Sequence, residues 1–419
     1  MNSFYDDRET RDPALREAEL MARLPAQIAW ARTETAAFAE SLHGVDAMAV
    51  NSRAALARLP VLRKHELLER QKARRADDPF GGHAALGWGA AARRRALRVF
   101  ASPGPIYEPE GSGPDYWRMG RALFAAGFRA GDLVHNSFSY HLTPAGSMME
   151  TGAHALGCTV FPGGTGQTEQ QVQAMSQLRP RGYIGTPSFL KLIVEKAAEL
   201  GVSIASLQRA SVGGEAFPPA LREWLGKRGI DAYQSYGTAD LGLIAYETAA
   251  REGLVLDEDV IVEIVRPGTD EPVGDGEVGE VVVTTFNRDY PLVRFGTGDL
   301  SAVLPGPCPT GRTNTRIKGW LGRADQTTKV RGMFVHPSQV AEIVRRHPEV
   351  RKARLVVTGA LADDRMRLEV EVGGEPEGLV ARLAESIRDV TKLRGEAVLR
   401  PPGSLANDGK VIEDARRYD

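Results

Sequence analysis

The sequence has very little cysteine, almost no net charge and no long apolar run. Its two cysteines, Cys158 and Cys308, are too few for a disulfide framework. A net charge of −1 gives no overall attraction for nucleic acid, and the basic cluster Arg93-Arg94-Arg95 is short enough to be a solvated face. No stretch of about 18 consecutive apolar residues occurs, so no transmembrane helix is expected. These absences predict a protein that binds neither nucleic acid nor membrane.

The first residues are polar and lack the apolar segment of a signal peptide. Together with the scarcity of cysteine, this predicts a cytoplasmic location. The chain has 419 residues, of which 42% are hydrophobic, and this length exceeds what one ordinary core accommodates. Two or three domains are therefore expected.

The N-terminal part, residues 1–96, has a helical pattern. Residues 14–42 are rich in alanine and leucine, and Leu59-Pro60 interrupts this pattern before a short predicted helix at His65–Lys72. From residue 97 onward, short apolar strands alternate with helical segments. Such alternation predicts a mostly parallel sheet covered by helices, in which ligands gather beyond the carboxyl ends of the strands.

A β-rich texture begins near Asp257. Strands are predicted at Val260–Val265, at Gly279–Thr285 and at Pro291–Phe295, and Asp299 then falls at a glycine-flanked strand end. In the final part, residues 325–419, the predicted elements follow the order helix, strand, strand, helix, strand. The sequence thus predicts an α/β protein with a large N-terminal domain and a small, mobile α+β C-terminal domain. The large domain combines parallel sheets with a β-rich subdomain, and its helical part and ligand-binding part are predicted at 1–96 and 97–324.

One glycine turn, Ser102-Pro103-Gly104-Pro105, follows a predicted strand. Free backbone N–H groups converge at such turns and bind phosphate. Two prolines remove donors here, so a rigid surface turn is an equally good interpretation.

Five motifs follow one another along the chain in a familiar order: Tyr236-Gly237-x-x-Asp240, Arg294-x-x-Thr297-Gly298-Asp299, Gly322-Arg323-x-Asp325, Arg331-Gly332 and Gly409-Lys410. In order and spacing they resemble the adenylate-forming enzymes. Further details resemble the phenylacetate-CoA ligase branch of that family: Leu59-Pro60-x-x-x-Lys64, Thr186-Pro187-Ser188, Gly214-Glu215-Ala216-Phe217-Pro218 and Phe334-Val335-His336-Pro337-Ser338-Gln339. The likeness covers nearly the whole chain.

The resemblance implies that ATP activates a carboxylic acid to an acyl-adenylate, and that the acyl group is then transferred to coenzyme A. It implies nucleotide-binding roles for Ser102, Gly104, Gly214, Glu215, Tyr236, Gly237, Thr238, Asp299 and Arg323. Tyr236 would stack on adenine, and Asp299 would hold both ribose hydroxyls. Lys410 would be the catalytic residue, because adenylation needs its developing negative charge neutralised.

The resemblance also implies a domain rotation and a metal. The small domain would turn about the hinge residue Asp325 and present Arg331 and Gly332 for the thioester step. Asp240 stands where the family has a glutamate that meets Mg²⁺, so its shorter side chain would reach the ion directly or through a bridging water. An acyl pocket for an aromatic acid is expected at Phe138, Tyr140, His141 and Thr143.

This sequence also departs from the family pattern. The segment Ala101–Pro109 lacks the usual lysine and threonine-type hydroxyls, and Glu108 adds a negative charge. Cys308 alone cannot build a zinc site, so no zinc is expected. Two alternatives to the coenzyme A ligase stay open: adenylation with an amine or carrier-protein acceptor, and a catalytically impaired nucleotide-binding protein. The resemblance also implies a homodimer.

Overall fold

The computed structural model describes residues 3–89, 92–324, 326, 328–335, 337–359, 363–374, 376–406 and 410–416. The chain divides into two compact units. The large unit comprises Met1–Phe217 and Leu221–Gly322, and the small unit comprises Pro218–Ala220 and Arg323–Asp419.

The α-helices in the described residues are α1 Pro13–Glu34, α2 Ala36–Ser41, α3 Arg53–Leu56, α4 Lys64–Arg74, α5 Met119–Ala125, α6 Ala145–Ala155, α7 Thr168–Leu178, α8 Pro187–Glu199, α9 Pro219–Gly226, α10 Pro337–Arg346 and α11 Leu379–Thr391. None of them is long and apolar enough to cross a membrane. The first helix begins where the sequence predicts it, since Asp12 accepts hydrogen bonds from the amides of Ala14 and Leu15 and Pro13 fits the first turn.

The strands in the large unit are β1 Leu62–Arg63, β2 Arg98–Ser102, β3 Ile106–Glu110, β4 Leu133–Asn136, β5 Thr159–Pro162, β6 Gly182–Gly185, β7 Arg209–Val212, β8 Asp231–Thr238, β9 Gly242–Glu247, β10 Leu254–Leu256, β11 Val260–Val265, β12 Gly279–Thr285, β13 Phe295–Ser301, β14 Val303–Leu304 and β15 Arg316–Ile317. They are followed by β16 Gly322–Arg323, β17 Thr328–Val330, β18 Met333–Val335, β19 Val350–Thr358, β20 Arg365–Val372, β21 Glu396–Arg400 and β22 Ile412–Asp414.

The main sheet of the large unit has nine strands in the order β14-β15-β10-β9-β8-β7-β6-β4-β5. The strands from β5 to β8 pair in parallel, whereas those from β8 to β14 pair antiparallel. The parallel strands are linked by helices, as the alternation in the sequence predicts. Their carboxyl ends bring Asn136, Gly185, Val212 and Thr238 to one edge of the sheet.

A second sheet, in the order β1-β13-β12-β11, forms the β-rich part of the large unit. One predicted strand is wrong. The segment Pro291–Phe295 is not a strand, because β13 begins only at Phe295. Arg294 has a φ of +44°, and Pro291 has no N–H for a strand ladder, so regular strand pairing begins only at Phe295.

The small unit has its own core. Its sheet has the order β21-β20-β19-β22, and α10 and α11 follow the amphipathic pattern seen in the sequence. Val340, Ile343, Leu355, Leu368 and Leu383 are buried together in one cluster. A separate hairpin joins β17 to β18. The predicted fold class, a large α/β domain with a small α+β domain, is confirmed by this arrangement.

Candidate active site

The side chains of Tyr236 and Asp299 meet in the large unit, although they lie on strands of different sheets. The hydroxyl of Tyr236 in β8 lies 3.0 Å from Asp299 Oδ2 and 3.3 Å from Thr297 Oγ1. On the other oxygen, Asp299 Oδ1 accepts a hydrogen bond of 3.1 Å from the indole N–H of Trp320. A carboxylate has about four acceptor positions. Asp299 is therefore oriented by two aromatic side chains and is chemically suited to hold a pair of hydroxyl groups.

The sequence predicted that Asp299 would lie at a strand end, but it lies within β13. The pairing of β12 with β13 is irregular between Glu280 and Val282. At this place Gly298 has a φ of +74° and donates its amide to Glu280 Oε1 at 3.2 Å. A bulge of this kind redirects a side chain. It accounts for an aspartate in the middle of a strand that faces Tyr236.

The turn after β8 holds Asp240 in a fixed place. A Cβ on Gly237 would lie 2.5 Å from the carbonyl oxygen of Gly242, so a larger residue would clash with backbone. Thr238 Oγ1 accepts a hydrogen bond of 3.2 Å from the amide of Leu241. The turn carries Asp240 into the interior, where it is 2% exposed. Gly237 and Thr238 thus shape the turn and position the carboxylate.

The predicted adenine-lining pair follows β7. Gly214 has a φ of +77°, which favours glycine. The Glu215 carboxylate accepts a hydrogen bond of 2.6 Å from the amide of Ser188, in the first turn of α8. An anionic side chain is stabilised at this end of a helix. The contact joins two segments that the sequence singled out separately, Thr186-Pro187-Ser188 and Gly214-Glu215.

The predicted phosphate loop is a β-hairpin formed by β2 and β3, with Gly104 in its turn. Glu108 is fully buried in this hairpin. Its carboxyl group accepts a hydrogen bond from the Ser102 amide at 3.2 Å and another from the Ser102 hydroxyl. Both Ser102 donors that the sequence assigns to phosphate are therefore engaged with a protein carboxyl group.

A buried charge cluster lies beside this hairpin. Asp240 Oδ2 accepts a hydrogen bond of 2.9 Å from the ammonium group of Lys64, whose side chain is 30% exposed. Burial, reinforced by the negative charge of Asp240, raises the pKa of Glu108 to about 8, while the positive charge of Lys64 opposes the rise. Burial also raises the pKa of Tyr290, and the negative charges of Asp240 and Glu108 raise it further.

The residues around Asp240 do not fit a Mg²⁺ ion. Magnesium needs six oxygen ligands in octahedral geometry and keeps several waters. The Asp240 side chain is fully buried, and one of its oxygens is already bound to an ammonium group. Its other oxygen, Oδ1, is buried without a hydrogen-bond partner among the described residues. In the same part of the chain, no group of three or more His, Cys, Asp or Glu side chains is arranged to hold a metal.

The predicted acyl-pocket residues lie on one loop between β4 and α6. Asn136 fixes this loop, because its side-chain amide donates to the Tyr140 hydroxyl at 2.8 Å and to the Gly146 carbonyl at 2.9 Å. Phe138, Tyr140 and Thr143 are half-buried, whereas His141 is exposed. The loop therefore presents an aromatic surface with His141 toward solvent.

A polar network beneath that loop was missed by sequence reasoning. The ring of His135 lies 2.6 Å from Gln171 Oε1 and stacks on Phe161, and Ser137 donates to the same Gln171 oxygen at 3.1 Å. The amide of Gln171 donates to the carbonyls of Gly164 and Gly166 at 2.9 and 2.7 Å. Gln171 thus ties the glycine-rich turn after β5 to the end of β4. The only sequence signal for this network was the pair of polar residues His135 and Ser137, where the strand passes into the loop.

Arg294, the first residue of the aspartate motif, is fully buried and serves the scaffold. It forms a two-pronged ion pair with Glu263 at 3.0 and 3.1 Å. Its remaining N–H groups donate to the carbonyls of Ala57, Leu59 and Asp270. This side chain therefore joins the N-terminal helical part to the second sheet, immediately before the strand that carries Asp299.

The small unit contains the other predicted residues. Arg331 and Gly332 form the turn of the β17–β18 hairpin with φ values of +48° and +83°, and both are exposed. The Arg331 amide donates to Asp364 Oδ2 at 2.7 Å, which fixes the turn. Lys410 is exposed and precedes β22 by two residues. Arg323 lies in the short strand β16. The predicted hinge, Asp325, lies outside the described residues.

Lys64 and Trp320 are site residues to which the sequence gave no role. Lys64 lies in the Leu59-Pro60-x-x-x-Lys64 motif, and Trp320 lies two residues before the Gly322-Arg323-x-Asp325 motif. A lysine at a predicted helix start and a tryptophan near charged motifs were the available signals. Neither signal identifies a partner, because Asp240 is 176 positions from Lys64 and Asp299 is 21 positions from Trp320.

Comparisons with known proteins match this chain over most of its length. A family model described as AMP-binding enzyme matches residues 122–287. The phenylacetate-coenzyme A ligase of Thermus thermophilus is 31% identical over 398 residues, covering 86% of this chain and 86% of that protein. The phenylacetate-coenzyme A ligase of Aromatoleum evansii is 32% identical over 365 residues, covering 83% of this chain and 79% of that protein.

A solved structure shares the fold. It is a 2-hydroxyisobutyryl-CoA ligase in complex with 2-HIB-AMP and CoA, with a TM-score of 0.82 and 23% identity, covering 100% of this chain and 93% of that one. The fold and the sequence matches define the class of protein as a ligase that forms an adenylate. Within that class, the chain belongs to the AMP-binding enzyme family and has phenylacetate-coenzyme A ligases as relatives. The resemblance stated from the motifs is confirmed.

Proposed function

We propose that this AMP-forming acid–thiol ligase activates an aromatic carboxylic acid with ATP and transfers the acyl group to coenzyme A. The observation that carries the proposal is the 3.0 Å contact between Tyr236 and Asp299, two motif residues 63 positions apart. Relatives named phenylacetate-coenzyme A ligase support the same reaction. In the first step the acid's carboxylate attacks the α-phosphorus of ATP, the bond to the β-phosphate oxygen breaks, and pyrophosphate leaves.

The proposed roles of the residues follow from their chemistry. Asp299 would bind the ribose hydroxyls, Tyr236 would pack on adenine, and the Glu215 segment would line the adenine pocket. Lys410 would neutralise charge that develops at the α-phosphate, since adenylation is catalysed mainly by positioning and electrostatic stabilisation. Mg²⁺ would arrive bound to ATP. The Asp240 carboxylate would not hold it.

The acid proposed as substrate is aromatic. Phe138 and Tyr140 are half-buried on the loop after β4, and this kind of surface suits an aryl ring. The names of the relatives give the same class of acid for those proteins. In the second step, the thiol of coenzyme A would attack the acyl carbon and AMP would leave. The exposed Arg331-Gly332 turn and the hinge at Asp325 are proposed to serve this step.

The proposal is tested by ATP–pyrophosphate exchange with a panel of aromatic and aliphatic acids. We expect exchange with an aromatic acid, and consumption of coenzyme A together with AMP release. AMP release without consumption of coenzyme A would favour an amine or a carrier protein as the acceptor. Binding of nucleotide with no exchange on any acid would favour the catalytically impaired alternative, which the hairpin at Ser102 and Glu108 motivates. A homodimer and a cytoplasmic location stay predictions, to be checked by light scattering and by cell fractionation.

A further inference from the structure

The large unit contains a cleft whose lining includes none of the described candidate site residues. Its volume is about 250 Å³, and its walls come from α1, from the segments before β2, α5 and β11, and from the turn after β12. Four lining residues are arginines and two are aspartates: Arg23, Arg94, Arg118, Arg288, Asp259 and Asp289. Positive side chains therefore outnumber negative ones in this cleft.

The turn after β12 is held against α1. The Gln27 side chain donates to the carbonyl of Asn287 at 3.0 Å, and the indole N–H of Trp30 donates to the carbonyl of Arg288 at 2.9 Å. Within the turn, the Asn287 side chain accepts a hydrogen bond of 2.8 Å from the Asp289 amide. The backbone that carries Arg288 is therefore fixed by α1 and by the turn itself.

Three of the arginines stack on aromatic rings. The guanidinium carbon of Arg23 lies 4.0 Å from the ring centroid of Phe286, and those of Arg288 and Arg94 lie 5.0 and 5.7 Å from the ring centroid of Trp30. A stacked guanidinium group keeps its N–H groups at the edge of its plane, where they can bind a phosphate in two-pronged fashion. Stacking also restricts the side chain, so less conformational entropy is lost when an anion binds.

The carboxylates of the cleft do not balance its arginines. Asp259 and Asp289 pair with Arg23 and Arg94, at 2.9 and 2.7 Å. Arg288 is exposed, and no ion pair or side-chain hydrogen bond joins its guanidinium group to the part of the chain that the structure describes. A cleft lined by an excess of one charge focuses the electrostatic field and attracts ions of the opposite sign. A multiply charged anion is the ligand that fits these charges.

We propose that this cleft binds a phosphate-bearing anion, with Arg288 as its main ligand and the stacked Arg23 and Arg94 beside it. The cleft has the volume of about eight water molecules, which is room for one or two phosphate groups and not for a whole nucleotide. Free pyrophosphate and the phosphate groups of coenzyme A are two sources of this chemistry. The inference goes beyond the proposed function, because it assigns an anion site in addition to the nucleotide site at Asp299.

A fluorescence titration with inorganic pyrophosphate, at constant ionic strength, tests this assignment, because Trp30 stacks with two of the arginines. We expect pyrophosphate to change the tryptophan fluorescence of the wild type. Arg288→Gln should weaken this binding about tenfold or more, since charge-assisted hydrogen bonds are lost. The fluorescence change should disappear in Trp30→Phe and persist in Trp224→Phe.

Arg228→Gln is the matched control, because Arg228 is exposed and stacks on Trp224 at 3.7 Å, outside the cleft. It should bind pyrophosphate as the wild type does. Arg288→Lys keeps the positive charge but loses the two-pronged geometry, so it should lose less affinity than Arg288→Gln. Thermal melting confirms that each variant is folded before titration.

Titrations with coenzyme A and dephospho-coenzyme A distinguish the two sources of phosphate. If wild type prefers coenzyme A and Arg288→Gln loses this preference, the cleft takes the nucleotide end of coenzyme A. If coenzyme A binds equally to both proteins while pyrophosphate binds more weakly to Arg288→Gln, the cleft takes free pyrophosphate. Either result supports an anion site at Arg288.

Two outcomes overturn the inference. Pyrophosphate and coenzyme A titrations that are the same in wild type and Arg288→Gln, or that show no binding in either, would remove Arg288 from any anion site. A pyrophosphate response that survives in Trp30→Phe would place the anion outside the cleft. Failure of the proposed function gives a different result, because ATP–pyrophosphate exchange would then be absent with every acid while the anion site at Arg288 remained.

Discussion

The candidate carboxylates of the large unit are buried and hydrogen-bonded to protein groups, whereas the catalytic and thioester-step candidates of the small unit are exposed. Asp299, Asp240 and Glu108 are at most 9% exposed, and each has protein partners. Lys410, Arg331 and Gly332 lie on turns and loops at the surface. Substitutions of these buried residues in the large unit are therefore expected to change both stability and activity. Substitutions of the exposed residues in the small unit should change activity more than stability.

The largest effect is expected at the Arg294–Glu263 pair of the large unit. Arg294→Met leaves a buried carboxylate unpaired, and such a change costs about 3–5 kcal/mol. Urea unfolding should show this loss, or the variant should be insoluble. The matched control is Arg266→Met, because Arg266 and Glu277 are more than half exposed and their pair contributes less than about 1 kcal/mol. Equal losses in the two variants would contradict the buried role of Arg294.

Lys410 offers the opposite case, a large loss of activity at an exposed position. Lys410→Ala should slow ATP–pyrophosphate exchange about 100- to 1000-fold, the cost of removing one preorganised charge-stabilising group. The urea midpoint should be unchanged, since the side chain is exposed. Lys392→Ala, at another position of the small unit, is the control for exchange. Exchange at the wild-type rate in Lys410→Ala would end its catalytic assignment.

A pH-dependent loss of stability is expected at His83 in the large unit. Burial, with nearby Arg70, lowers the pKa of His83 to about 4, and its Nδ1 has no hydrogen-bond partner among the described residues. Above the ordinary pKa of about 6.5 both states are neutral, and stability is unaffected. As the pH falls from about 6.5 to 4 only the unfolded chain takes up the proton, so stability falls by about 3 kcal/mol at most.

His83→Gln should flatten that part of the profile, as measured by the free energy of unfolding at pH 7, 6, 5 and 4. His154→Gln, at an exposed histidine, should leave the profile unchanged. An identical fall in wild type and His83→Gln would show that other groups cause it.

A smaller effect is expected at Trp320, at the rim of the large-unit site. Trp320→Phe removes the N–H that donates to Asp299, at a cost of about 1 kcal/mol in unfolding free energy. Because Trp320 contacts the proposed ribose-binding carboxylate, adenosine should change the protein's tryptophan fluorescence, and this change should disappear in Trp320→Phe. Trp224→Phe should keep it. A signal that survives in Trp320→Phe would place the nucleotide elsewhere.

Gly332→Ala should lower stability modestly and should have the most selective effect on function. Gly332→Ala forces a Cβ onto a φ of +83°, which costs about 1–2 kcal/mol, although a Cβ there would meet no atom within 4 Å. We expect normal ATP–pyrophosphate exchange and slower consumption of coenzyme A. Exchange that slows as much as thioester formation would contradict a role confined to the second step.

Much of the fold was predictable because it depends on local patterns. The alternation of apolar runs with helical segments predicted the parallel part of the main sheet, and the order of elements in residues 325–419 predicted the small unit. The predicted strand at Pro291–Phe295 was wrong because it rested on β-forming residue types alone. Pro291 lacks an N–H and Arg294 has a left-handed backbone, so the strand begins only at Phe295. The motifs likewise predicted that Tyr236 and Asp299 belong to one site, because the order of the motifs along the chain identified the family.

The sequence by itself determined the class of protein and its ligase family, because these depend on residue types in a fixed order. Only the tertiary structure decided which side chains are partners. Glu108 binds Ser102 and Asp240 binds Lys64 because a hairpin, a helix start and a strand turn pack together. Asp240 and Lys64 lie 176 positions apart in the sequence. Burial then raises the pKa of Glu108, and burial is a property of the packed fold.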